Sequence, residues 1–97
     1  MANPYGPKGK YNQYFTDPVK TGIWFSNFLK EHNLLEHEIA KFLGVSDQRV
    51  CNWAKGVRGM RLATIFALYY VGDISNCDRP YSVMDSIARK TFEDLRG

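Results

Sequence analysis

Between Leu34 and Arg61 the chain reads LLEHEIAKFLGVSDQRVCNWAKGVRGMR, two short amphipathic helical patterns separated only by Gly44-Val45-Ser46. Helices this short do not persist alone in water, because the cost of nucleation is spread over too few hydrogen bonds. They survive only if tertiary packing holds them at a set angle, so this segment demands that the rest of the chain supply a core. Ninety-seven residues with 44% hydrophobic content suit one such core and no second domain.

The remaining pattern is helical throughout. Asp17-Pro18 is a strong helix start, an N-cap followed by a residue whose φ is already helical. A first helix over 18–32 is expected, with Val19, Ile23, Phe28 and Leu29 on the apolar period, Trp24 and Phe25 broadening that face, and Asn33 as the stop. The second helix is expected over 36–43, with Ile39, Ala40 and Leu43 inward and Gly44 taking the positive φ that ends it. Ser46 caps a third helix over 47–55, closed by Gly56. A fourth helix, 62–71, is too apolar to be exposed, and a fifth, 80–96, has Val83, Met84, Ile87, Ala88, Phe92 and Leu95 on one side. The expected class is all-α, with residues 1–15 an arm or irregular segment and 16–97 the helical domain.

Net charge is +3, and Asp47, Arg49, Lys55, Arg58 and Arg61 account for all of it. Taking Val50 as the origin, Trp53 and Ala54 fall within about 60° of it, so these three form the inward face of the third helix. Gln48, Asn52, Lys55 and Cys51 lie opposite, at about 100° to 200°, with Arg49 on the flank. Two carboxamides four residues apart near a helix start match what adenine readout requires, since one amide can accept from N6 and donate to N7.

The stretch resembles the phage repressor and Cro-type (XRE-like) helix-turn-helix family, which also includes many bacterial regulators and antitoxins. The matching positions are Ile39, Ala40, Leu43, Gly44, Val45, Ser46, Val50 and Trp53, then Lys55-Gly56, Leu62, Ile65 and Leu68, and the likeness covers residues 23–72. It implies a five-helix, lambda-repressor-like DNA-binding domain in which Ala40 lets the two helices cross closely. It also implies base contacts from Ser46, Asp47, Gln48, Arg49, Cys51 and Asn52, and phosphate contacts from Lys55, Arg58 and Arg61. Two positions depart from the family pattern: Leu35 stands where a Ser or Thr cap is usual, and Glu36 where a Gln often donates to a phosphate. Asp47 has two readings, an acceptor for cytosine N4 and a first-turn anion favoured by the helix dipole, of which the second needs no partner outside the chain.

The implied function is a sequence-specific transcriptional regulator, a repressor that binds a near-palindromic operator on double-stranded DNA as a homodimer. Val83, Ile87, Phe92 and Leu95 are the expected two-fold contact. The alternative is a protein-interaction module, an adaptor or antirepressor on the same scaffold. In the arm, Lys8 and Lys10 among Tyr5, Tyr11 and Tyr14 leave two readings open: a basic arm lying along DNA, or an aromatic segment packed on the first helix.

No Ser-His-Asp grouping, phosphate-binding glycine loop or carboxylate pair stands out, so no enzymatic activity and no cofactor are expected. His32 and His37 lack further ligands at a metal-binding spacing and are expected to be exposed, and Cys51 and Cys77 to be free thiols. The apolar runs are short and the first residues do not resemble a signal peptide, so a cytoplasmic protein with no membrane span is expected.

Overall fold

A computed structural model describes residues 14–72 and 81–96, and these form five helices: α1 (Pro18–Glu31), α2 (Glu36–Leu43), α3 (Asp47–Ala54), α4 (Leu62–Gly72) and α5 (Tyr81–Leu95). Among the described residues there is no strand, and no helix is long and apolar enough to cross a membrane. Lys8, Lys10, the rest of the expected arm through residue 13, Cys77 and the connector over 73–80 lie outside the described residues.

Local chemistry sets each boundary. Asp17 Oδ2 accepts from the Lys20 N–H at 3.0 Å, which caps α1 with Pro18 in its first turn. Ser46 Oγ accepts from the Arg49 N–H at 3.2 Å and caps α3. At the N-cap of α2, Leu35 has no side-chain acceptor, but Glu38 Oε1 reaches back to the Leu35 N–H at 3.0 Å, the reciprocal half of a capping box.

The first three helices end on a left-handed residue: Asn33 at φ 53°, Gly44 at 70° and Gly56 at 76°. In each case the next N–H turns back onto the last helical turn, Leu34 to Leu29 O, Val45 to Ala40 O and Val57 to Asn52 O.

Packing joins α1 to α3, α2 to both α3 and α4, and α4 to α5. Phe25, Ile39, Val50, Ile65 and Leu68 are fully enclosed at the centre, with Trp53 edge-on to Phe25 at 6.1 Å. Trp24, Phe28 and Tyr69 form an aromatic cluster beside them, and the Tyr69 hydroxyl bonds Thr91 Oγ1 at 2.7 Å to tie α4 to α5.

Two expectations about inward faces are corrected. Val19 and Ile23 point outward, 63% and 65% exposed, because α1 is turned to bury Thr21, Gly22, Phe25, Phe28 and Leu29. The cause is a backbone-to-backbone crossing: a Cβ on Gly22 would come within 2.7 Å of Gly56 N and Cα. Rotating α1 to bury Val19 and Ile23 would abolish that approach. The second correction concerns α5, whose Phe92 and Leu95 are 6% and 8% exposed within the chain's own core. They are therefore not surplus surface for a two-fold contact, whereas Val83 is exposed and Ile87 half-buried. The end of α5 is tied down further, since Leu95 O accepts from the Asp17 N–H at 2.7 Å and Arg96 O from Lys20 Nζ at 3.2 Å.

Candidate nucleic-acid interface

Burial of Val50 and Trp53 sets the rotation of α3 about its axis, and that rotation decides which side chains face outward. Ser46, Asp47, Gln48 and Arg49 are exposed, while Cys51 and Asn52 are half-buried. Gln48 Nε2 donates to Asn52 Oδ1 at 3.0 Å, joining the two carboxamides. Cys51 is a free thiol on the same helix.

Asp47 is engaged from a neighbouring element: its Oδ1 lies 3.1 Å from His37 Nδ1 across the first turns of α2 and α3. Both groups are largely exposed, so the contact orients Asp47 more than it stabilises the fold. His32, expected to be exposed, is half-buried with its ring centroid 4.4 Å from that of Phe28. Among the described residues no group of His, Cys, Asp and Glu is arranged to hold a metal.

Lys55, Arg58 and Arg61 are exposed after α3 on a turn anchored by the buried Gly59 and Met60. Met60 is enclosed in the core, and the Thr16 N–H donates to Met60 O at 3.0 Å while the Met60 N–H donates to Thr16 Oγ1 at 2.8 Å. Thr21 completes this buried latch through a short hydroxyl contact with Thr16 and a bond to Asp17 O. Gly59 is required there, because a Cβ would collide with the Thr16 carbonyl oxygen.

Arg61 has two attachments. Its carbonyl accepts from the Thr64 and Ile65 N–H groups at the start of α4, and its guanidinium lies 5.2 Å from the centroid of the Phe15 ring. Arg49 lines a groove of about 690 Å³ together with Arg58 and Arg61, over Trp53 and Met60. Expected among base contacts, it shares that groove with the basic turn, whereas Gln48 and Asn52 do not line it. Among the described residues Arg49, Lys55, Arg58 and Arg61 form no ion pair. Glu36 is exposed in the first turn of α2.

The Thr16–Thr21–Met60 latch and the Gly22–Gly56 crossing carry no periodic signature. Gly22 inside an otherwise helical run is the signal that could have pointed to a close approach, since a helix-interior glycine costs about 1 kcal/mol relative to alanine.

No protein-family model matches the chain, and no curated protein or solved structure matches it significantly.

Proposed function

We propose that this chain is a sequence-specific DNA-binding transcriptional regulator of helix-turn-helix type, a repressor that acts as a homodimer on a near-palindromic operator. The observation that carries this reading is the juxtaposition on α3 and its turn. Two outward carboxamides lie beside Arg49, Lys55, Arg58 and Arg61, cations with no internal counter-charge among the described residues. Amides of this kind discriminate base edges in the major groove, whereas uncompensated cations attract phosphates regardless of sequence. α3 is short and spans only a few base pairs, so two copies supply the specificity that one lacks.

Val83 and Ile87 remain the α5 residues open to a partner copy. Sedimentation of wild type and Ile87→Asp tests that contact, with a looser dimer expected for the variant. Selection from a random duplex pool followed by sequencing tests the function itself. An enriched inverted repeat is expected, and no enrichment at low salt would contradict it.

A second reading, a protein-interaction module, draws on the exposed apolar residues Val19, Ile23 and Val57, which lie around the Gly22–Gly56 crossing. Under that reading the selection yields no preferred duplex, and charge on Val19 or Ile23 removes the activity.

A further inference from the structure

We propose that Gln48 and Asn52 read bases as one coupled unit. Asn52 holds the Gln48 amide in place to chelate adenine, while its own amide nitrogen donates to a neighbouring base that offers an acceptor. This rests on the DNA-binding reading above and names the chemistry of the site.

The assignment follows from counting donors and acceptors. Each carboxamide has two N–H donors and one oxygen with two lone pairs. With Gln48 Nε2 donating to Asn52 Oδ1, Gln48 keeps Oε1 and one N–H, the complete set needed for adenine N6 and N7. The hydrogen syn to an amide oxygen forms the chelating edge, so the anti hydrogen can serve Asn52 without blocking it. Asn52 keeps both N–H groups and one lone pair on its oxygen, but that oxygen is turned toward Gln48 while the N–H groups are unshared. Its outward chemistry is therefore that of a donor, suited to guanine O6 or N7 or to thymine O4.

The two members are not equally fixed. Asn52 is the shorter and half-buried, on a helix locked by Val50 and Trp53. Gln48 is exposed, and among the described residues its side chain hydrogen-bonds to Asn52. Asn52 is thus a positioning residue for Gln48 as well as a reader, and Gln48 gains pre-organisation that an isolated glutamine lacks.

The test is base preference rather than affinity. Binding of wild type, Gln48→Ala, Asn52→Ala and Asn52→Asp is measured on the selected site and on all its single-base changes, after melting curves confirm folding. Gln48→Ala identifies the adenine position. Asn52→Ala should then lower the preference for adenine at that same position by roughly fivefold or more, in addition to losing its own. Asn52→Asp retains an acceptor for Gln48 Nε2 but has no donor. It should keep the adenine preference within about twofold of wild type and lose only the neighbouring one.

Asn52→Ala that leaves the adenine preference intact would overturn the coupling, as would equal loss in Asn52→Ala and Asn52→Asp. A wild-type protein that prefers no sequence would overturn the DNA reading itself, and the pair with it.

Discussion

Two parts of the molecule carry charge in contrasting ways. On α5 and the residue after it, three anions and three cations cancel, and Arg89 and Arg96 are paired locally with Asp85 and Glu93 at 3.0 and 3.1 Å. Over Ser46 to Arg61 four cations face one anion, and that anion is held by His37. The apolar sides differ less, for Trp53 in one region and Phe92 in the other both enter the same core. Exposed pairs such as those of α5 contribute little to stability, so the contrast does not concern folding strength. It separates a helix with balanced charge and two local ion pairs from a segment with four cations that form no ion pair among the described residues.

The largest expected effect tests the part the regions share. Trp53→Ala and Phe92→Ala should each cost about 3–5 kcal/mol, since both side chains are buried and the cavities they leave are only partly closed by relaxation. Melting curves like that of wild type for either variant would show that its face is not interior.

Next is the crossing that orients α1 against the basic turn. Gly22→Ala places a methyl against the Gly56 backbone, which cannot give way as a flexible side chain would, and should cost about 1–3 kcal/mol in chemical denaturation. A neutral or stabilising result, as expected from helix propensity alone, would mean that the close approach does not exist.

The smallest effect separates the regions most cleanly. Arg58→Ala should weaken binding to every duplex and reduce the slope of log K against log salt by about one, while Arg89→Ala should leave the slope unchanged. Equal slopes for both variants would remove the distinction between the two charge patterns.

Much of the fold was legible because its boundaries depend on local chemistry. Asp17-Pro18, Ser46, Asn33, Gly44 and Gly56 each act within one helical turn, and all do in the structure what their types suggest. The inward face of α3 was legible for the same reason, as Val50 and Trp53 repeat at the helical period. The rotation of α1 was not, because its apolar residues nearly encircle the helix and a glycine crossing, invisible to hydrophobic period, decides which ones are buried. The partner of α5 was not legible either, since an amphipathic side does not specify whose core it completes. The buried threonine latch that supports Arg58 and Arg61 joins residues 44 apart in sequence and depends on tertiary packing alone.

Amide chemical-shift mapping of the full chain during titration with the selected duplex tests the central claim most directly. The largest perturbations should fall on Ser46 to Arg61, with the amides of residues 82–94 nearly still. Perturbations concentrated on α5, or none anywhere at a duplex excess in low salt, would contradict the assignment of α3 and its basic turn as the DNA-binding surface.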